Sequence, residues 1–170
     1  MCPPNGFIHR RLKHGLGFYM VAQRLVRTRD ATLDDLQAIL NIEYKCFKDP
    51  YPLALLNRLR AMHPDGFLVA VADGKVVGYV IGVIRWGATG HILAIGIDPS
   101  YRRQQIGSAL MERIMDRLRA KGAKLARLEV RKSNLEARQF YLKLGFREME
   151  EIPYYYEDGE TAVAMERSFE

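Results

Sequence analysis

The sequence predicts a mixed α/β fold, with one twisted, mostly antiparallel sheet of six to seven strands and helices on both faces. Apolar runs of strand length alternate along the chain with segments whose apolar residues recur every three to four positions. At two places, near residues 98 and 132, a strand passes through a polar turn directly into a helix. Asp73-Gly74, between two apolar runs, is typical of a β-hairpin turn.

The first half of the chain contributes three strands and two helices. Leu25–Arg29 is the first predicted strand. Thr32 and Asp35 form a capping pair, and the apolar residues after them lie on one helical face. Asp49-Pro-Tyr-Pro52 ends this helix, because proline lacks the N–H that a helix needs. The second helix and the hairpin strands are then predicted at Leu53–Met62, Phe67–Ala72 and Val76–Ile84.

The second half repeats one pattern, a strand followed by a helix. The first of these helices is amphipathic and ends at Gly122, since glycine favours the C-terminal cap. Ser133 and Glu136 form a capping pair for the second helix, with Asn134 in its first turn. The strands predicted in this half are His91–Asp98, Leu125–Arg131, Phe146–Ile152 and Thr161–Arg167.

The charge is unevenly distributed along a chain of 170 residues with a net charge of +6. Residues 1–29 hold six basic and no acidic side chains, and the rest of the chain holds 20 of each. We divide the chain into a basic N-terminal extension, residues 1–23, and a single domain, residues 24–170. The extension is either an arm for nucleic acid or ribosomes or a segment without a binding role. We favour the second interpretation and do not expect the protein to bind nucleic acid.

Composition argues against membrane, exported and metal-binding classes. No apolar run approaches the ~20 residues that cross a bilayer, and the N-terminus lacks the apolar core of a signal peptide. Cys2 and Cys46 are the only cysteines and lack metal-ligand spacing. We therefore predict a cytoplasmic protein without a disulfide framework or a metal site.

Residues 98–109, Asp-Pro-Ser-Tyr-Arg-Arg-Gln-Gln-Ile-Gly-Ser-Ala, form the first strand–turn–helix junction. Such a junction directs free backbone N–H groups, the positive end of a helix dipole and the Arg102 and Arg103 side chains at one point. This arrangement is suited to binding a pyrophosphate. The alternative is a plain turn with solvated arginines.

The second junction and the C-terminal segment complete a pattern that resembles a known family. Leu128–Asn134 is followed by Ala137–Phe146, a helix that ends in glycine and leads into a strand. Together the two junctions resemble the GNAT superfamily of acetyl-coenzyme A-dependent acetyltransferases. Tyr154–Met165 is similar to the "YY-x-DGE-x-A" ending of the protein N-terminal acetyltransferases of the RimI-like group. The resemblance extends over Leu25–Arg167, with the motifs in the same order as in the family and without large gaps.

The resemblance implies that acetyl-coenzyme A is the cofactor. In the family, the strand before the first junction pairs its backbone with the pantetheine arm, and the first turn and helix wrap the pyrophosphate. The second junction carries the acetyl and thiol end. The cofactor-binding residues implied in this way are Ile95, Gly96, Ile97, Arg102, Arg103, Gln104, Gln105, Ile106, Gly107, Ser108, Asn134 and Tyr141.

One position departs from the family's pyrophosphate pattern, Arg/Gln-x-x-Gly-x-Gly/Ala. Aligned from Arg102, the first glycine of this pattern is Gln105. A position in the first turn of a helix does not demand a positive φ, so we expect the Gln105 amide to face the phosphates still. A second register that starts at Gln104, with Gly107 and Ala109, also satisfies the pattern. We expect cofactor binding to be retained.

Three residues are the catalytic candidates that the resemblance implies. Glu129 stands where RimI-like enzymes carry the proton acceptor, and His91 is a second candidate that relays the proton through water. Tyr141 stands where the family places the acid that protonates the coenzyme A thiolate. The alternatives are a polar strand residue for Glu129, a structural histidine for His91 and core packing for Tyr141.

The resemblance implies that the substrate is the α-amine of a protein N-terminus, with ribosomal or nascent chains as candidates and an auxiliary subunit as a further candidate partner. It assigns backbone recognition to Tyr155 and Tyr156, opposite Asp49 and Tyr51; the alternative for the tyrosines is cross-strand packing at a hairpin tip. Two other functions stay open. One is acetylation of a lysine or small amine, and the other is a non-catalytic acetyl-coenzyme A-binding module.

Overall fold

The protein, described here by a computed structural model over residues 17–21, 24–85 and 87–170, contains eight strands and four α-helices in these residues. The strands are β1 (Gly17–Val21), β2 (Arg24–Asp30), β3 (Phe67–Ala72), β4 (Lys75–Arg85), β5 (Thr89–Ile97), β6 (Leu125–Arg131), β7 (Arg147–Ile152) and β8 (Ala162–Ser168). The helices are α1 (Leu36–Cys46), α2 (Leu53–Met62), α3 (Ile106–Ala120) and α4 (Leu135–Lys143).

The strands form one mixed sheet in the order β1-β2-β3-β4-β5-β6-β8-β7. Neighbouring strands are antiparallel except for β5 and β6, which are parallel. The predicted mixed α/β fold is thus confirmed, with seven strands in residues 24–170. The eighth strand, β1, comes from residues 17–21 of the predicted extension and pairs with β2. Residues 1–16, 22 and 23 of that extension lie outside the described residues.

Each face of the sheet is covered by two helices, which gives two apolar cores. On one face, α3 and α4 bury residues such as Leu110 and Tyr141 against β3–β6 and β8. On the other face, α1 and α2 bury residues such as Ile39 and Leu56 against β3 and β4. Each such aliphatic or aromatic side chain contributes about 1.5–3 kcal/mol through burial. The sheet between these cores is therefore a rigid support for the residues at its edges.

The predicted Thr32–Asp35 capping pair is confirmed, although it caps the 3-10 turn Leu33–Asp35 that leads into α1, and the predicted cap of α4 is wrong. The Asp35 carboxylate accepts a hydrogen bond from the Thr32 N–H at 2.7 Å, just before α1. At α4 the N-cap is Asn134, whose Oδ1 accepts from the Ala137 N–H at 3.0 Å. Ser133 instead donates its N–H to Glu160, which lies before β8. Ser133 therefore bonds to a residue that is distant in sequence and does not cap α4.

The sheet opens between β5 and β6. The two strands pair only over three residues each, Thr89–His91 with Leu125–Arg127. Beyond this point β5 stays paired with β4, and β6 stays paired with β8. The inner edge of β5 after His91 therefore faces a gap within the sheet. Among the described helices, none is both long enough and apolar enough to cross a membrane.

Candidate active site

Two predicted proton acceptors meet where β5 and β6 separate. His91 is the last residue of β5 paired with β6, and Glu129 lies two residues beyond its partner position on β6. The His91 Nε2 and Glu129 Oε2 atoms are 2.6 Å apart, and both side chains are nearly buried. Sequence reasoning treated the two as rival candidates, whereas the fold places them in one hydrogen-bonded pair.

Glu129 is also bound by an arginine. Its Oε1 accepts a hydrogen bond from Arg127 Nε at 2.9 Å, and Arg127 reaches Glu166 and Glu150 with its other nitrogens. Burial raises the pKa of Glu129, but the hydrogen bonds and charges of His91 and Arg127 outweigh it and hold this pKa below its ordinary value. Glu129 is therefore ionised at neutral pH, and by itself it is a weak base.

A cleft of ≈ 510 Å³ lies beside the His91–Glu129 pair. Tyr155 lines it, and burial together with the negative charge of Glu129 raises the pKa of this phenol. Tyr51 is close enough to Glu129 and Tyr155 for their charges to affect one another. The cleft is lined by Arg85, Thr89, His91, Arg127, Glu129, Ile152, Tyr155 and Glu166. Two predicted substrate residues thus lie next to the predicted catalytic residues.

Arg131 joins the two loops that the sequence assigned to the substrate. Its guanidinium binds Asp49 at 2.6 Å in the α1–α2 loop and Asp158 at 3.0 Å in the β7–β8 loop. It also binds Glu160 at 2.7 Å and lies 3.9 Å from the centre of the Tyr156 ring. Asp49 is therefore held by an ion pair that sequence reasoning did not foresee. Nothing in the alternating pattern of β6 distinguished Arg131 from any other outward arginine.

The β5 edge and the turn after it fit the cofactor that the sequence implied. The backbone of Ile95, Gly96 and Ile97 lies beyond the last pairing with β6, so this edge can pair with an extended amide chain. Asp98 fixes the turn by accepting from the Ser100 N–H at 3.0 Å. The exposed arginines Arg102 and Arg103 follow, and then Gln104 and the N-terminus of α3. In α3, Ile106 is buried in the core, and a Cβ on Gly107 would lie 3.2 Å from Phe140 Cζ. Ser108 lies in the same first turns.

The expectation for the Gln105 backbone is wrong. Gln105 is the N-cap of α3 and has φ +60°, in the left-handed region, as Arg103 does with φ +58°. The chain must turn sharply between Pro99–Tyr101 and α3, and this turn places Gln105 outside the first helical turn. A residue with a Cβ is strained in this conformation, by about 1–2 kcal/mol. Glycine, which the family carries at this position, adopts a positive φ without this strain, and Gln105 does not.

Tyr141 and Asn134 belong to α4. Tyr141 is 8% exposed and packs against Phe140 and Phe146, with ring centres 5.2 and 5.9 Å away. Burial raises the pKa of Tyr141, and the nearby Tyr156 raises it further. Core packing is thus its visible role, and its phenol stays protonated. The Asn134 side chain caps α4, and its backbone N–H and C=O are hydrogen-bonded to Arg131 and Arg138, so the structure assigns Asn134 a structural role at the start of the helix.

Sequence reasoning missed one further ionisable residue near the site. Glu43 lies on the inward face of α1 and is 2% exposed. Its position next to Ile42, within the apolar spacing of the helix, was the available signal. The carboxylate accepts hydrogen bonds from the Tyr51 N–H at 2.7 Å and from the Tyr79 hydroxyl.

Comparison with known proteins identifies the family of the chain. Residues 36–146 match the Acetyltransferase (GNAT) family. An N-alpha-acetyltransferase of Sulfurisphaera tokodaii is 35% identical over 151 residues, which are 82% of this chain and 90% of that protein. The crystal structure of Ard1 from Thermoplasma volcanium superposes with a TM-score of 0.81 at 32% identity, covering 84% of this chain and 97% of that one.

A second solved structure is the ribosomal-protein-S18-alanine N-acetyltransferase from Escherichia coli. It has a TM-score of 0.74 and 28% identity, and the match covers 84% of this chain and 93% of that one. The chain therefore belongs to the GNAT family of acetyltransferases, which use acetyl-coenzyme A.

Proposed function

We propose that the protein transfers acetyl from acetyl-coenzyme A to the α-amine of protein N-termini. The observation that carries the proposal is the His91–Glu129 pair at the opening of the sheet, beside a cleft flanked by Tyr51 and Tyr155. Relatives named as N-alpha-acetyltransferases support the same reading. Ribosomal or nascent chains in the cytoplasm are the proposed substrates, and an auxiliary subunit is a proposed partner.

The proton acceptor we propose is the pair and not Glu129 alone. An α-amine with pKa ~8 is about 10% neutral at pH 7, whereas a lysine with pKa ~10.4 is less than about 0.1% neutral. A modest base therefore suffices for N-termini. The Glu129 carboxylate faces the cleft, and His91 shares a hydrogen bond with it, so a proton released by the amine reaches two groups that are already hydrogen-bonded to each other.

Acetyl-coenzyme A supplies the activated acetyl group when bound. For its thiolate leaving group, Tyr141 is the proposed acid. Burial keeps the Tyr141 phenol protonated, which is the state that an acid must have before the reaction.

The peptide backbone is proposed to lie between the α1–α2 loop and the β7–β8 loop. Arg131 ties these loops together through Asp49 and Asp158, so the walls of the groove are held at a fixed separation. Tyr155 lines the cleft, and the Tyr156 ring packs against the Tyr155 ring, with its centre 3.9 Å from the Arg131 guanidinium carbon. A small amine would use little of this surface, which favours a peptide.

The experiment measures thiol release from acetyl-coenzyme A with a panel of peptides. The panel holds free N-termini that begin with Ser, Ala, Met-Leu and Met-Glu, and an N-blocked peptide with an internal lysine. We expect turnover with free N-termini only. Turnover on the blocked peptide would assign the protein to lysine acetylation instead. The absence of thiol release with every peptide would favour a non-catalytic acetyl-coenzyme A-binding module.

Substitutions of Glu129 and His91 test whether these two residues form the proton acceptor. Glu129→Gln and His91→Gln should each lower kcat/KM by roughly 10²–10⁴, the usual contribution of a general base. Glu112→Gln, an exposed glutamate on α3, is the matched control and should leave the rate unchanged. Full activity of both Glu129→Gln and His91→Gln would contradict the assignment.

A further inference from the structure

Glu43 is a buried carboxylate that the proposed chemistry does not use. It is 2% exposed, and burial raises its pKa despite hydrogen bonds from Tyr79 and from the Tyr51 backbone. Both of these donors are neutral groups. A buried carboxyl group between neutral donors destabilises the fold relative to an apolar side chain of the same shape. Its presence therefore calls for a role other than stability.

The first hydrogen bond fixes the substrate loop. Glu43 Oε2 accepts the N–H of Tyr51 at 2.7 Å, in the segment Asp49-Pro-Tyr-Pro52. The prolines on either side of Tyr51 have no N–H, so this bond holds a backbone that has few other donors. The Tyr51 hydroxyl in turn donates to the Leu93 carbonyl of β5 at 3.4 Å. The loop thus rests on α1 at one point and on β5 at another.

The second hydrogen bond fixes the support under the cofactor strand. The Tyr79 hydroxyl on β4 donates to Glu43 Oε1. The Tyr79 ring lies directly against Gly96 of β5, because a Cβ built on Gly96 would be 2.7 Å from Tyr79 Cε1. Ile42, the neighbour of Glu43 on α1, packs at the same place, with its Cγ2 3.0 Å from that Cβ position. One carboxylate therefore connects the substrate loop with the strand that is expected to hold pantetheine.

We propose that Glu43 is a positioning residue that sets the α1–α2 loop relative to β5, and so aligns the peptide with the acetyl donor. This inference rests on the proposed function, since it assigns the loop to the peptide. A carboxylate suits the task because it offers two acceptor oxygens to the two donors. Glutamine offers one acceptor oxygen and one NH₂ group, so it can keep only one of these bonds as it stands.

The kinetic test compares KM for a free N-terminal peptide with KM for acetyl-coenzyme A. We expect Glu43→Ala to raise the peptide KM by about tenfold or more and to change the acetyl-coenzyme A KM by less than about twofold. Glu43→Gln and Tyr79→Phe each remove one of the two bonds and should raise the peptide KM by an intermediate factor. An unchanged peptide KM in Glu43→Ala would overturn the proposal, as would equal changes for both substrates.

Asp35→Ala is the matched control for loss of stability. Asp35 is a buried carboxylate just before α1 that binds Arg29 and Thr32 and has no hydrogen bond to the loop or to β4. Its substitution weakens the same helix but should leave the peptide KM within about twofold of the wild type. A rise equal to that of Glu43→Ala would reduce Glu43 to a structural residue and overturn the proposal.

Hydrogen–deuterium exchange tests the same inference without any substrate. Exchange in the segment 47–53 should be at least about tenfold faster in Glu43→Ala than in the wild type, and unchanged in Asp35→Ala. If Glu43→Ala does not fold, Glu43→Gln takes its place with a smaller acceleration. Unchanged exchange in this segment would overturn the positioning role. If the wild type acetylates no peptide, the proposed function fails, and the exchange result still decides the role of Glu43.

Discussion

The backbone of Gln105 predicts that a glycine would stabilise the protein. Gln105 has φ +60° and makes no capping hydrogen bond with its side chain, which is exposed. Gln105→Gly therefore removes a left-handed strain of about 1–2 kcal/mol without breaking a contact. It adds about 0.5–1 kcal/mol of backbone entropy to the unfolded state. The free energy of unfolding should rise by about 0.5–1 kcal/mol, which corresponds to an increase in Tm of roughly 1–4 °C.

Gln104 provides the matched control for this substitution. It is the same residue type one position earlier, and its φ is not positive. Gln104→Gly gains no relief of strain and should lower the free energy of unfolding by about 0.5–1 kcal/mol. Urea unfolding of both variants without ligand measures the difference, which should be about 1–2 kcal/mol between the two. If both glycines shift stability in the same direction by the same amount, the strain argument is refuted.

Three other substitutions test particular contacts. Gly96→Ala places a Cβ 2.7 Å from Tyr79 Cε1, so urea unfolding should show a loss of about 1–3 kcal/mol; a neutral effect would mean that the ring moves freely. The pKa of Glu129 is lowered in the fold, so its stabilisation is complete above the unfolded pKa of ~4.3 and is lost as pH falls through the folded pKa. Glu129→Gln should therefore cost stability at pH 7 and less at pH 3, measured by urea unfolding; an equal cost at both would contradict this sign. Arg131→Ala separates Asp49 from Asp158 and should raise the peptide KM several-fold, while Arg131→Lys should retain part of the effect. No change in this KM would show that the loops hold their places without the arginine.

Local signals in the sequence predicted much of the fold. The helix at Leu53–Met62 and the strands Phe67–Ala72 and Leu125–Arg131 have the predicted bounds. In each case the signal lies within the element or directly beside it: a proline pair before the helix, a hairpin turn after the first strand, and strict alternation in the second.

The features that the sequence did not predict depend on contacts between distant parts of the chain. His91 and Glu129 are 38 positions apart, and only the register of β5 on β6 brings them together. Ser133 lost its capping role to a glutamate 27 positions away. The positive φ of Gln105 depends on the position at which the preceding turn must place the start of α3. Residue types alone do not specify this position. Periodicity shows which face a residue occupies but not what lies opposite to it.

The gap between β5 and β6 has a consequence for self-association. Strand edges with free N–H and C=O groups recruit strands from other molecules, and proteins commonly shield such edges. Here one edge lies inside the sheet, after only three residues of pairing. A ligand with amide groups that fills the gap takes up the bonding capacity that a foreign strand would otherwise use. We therefore expect acetyl-coenzyme A to slow aggregation on heating, so that the supply of the acetyl donor also governs how long the protein survives.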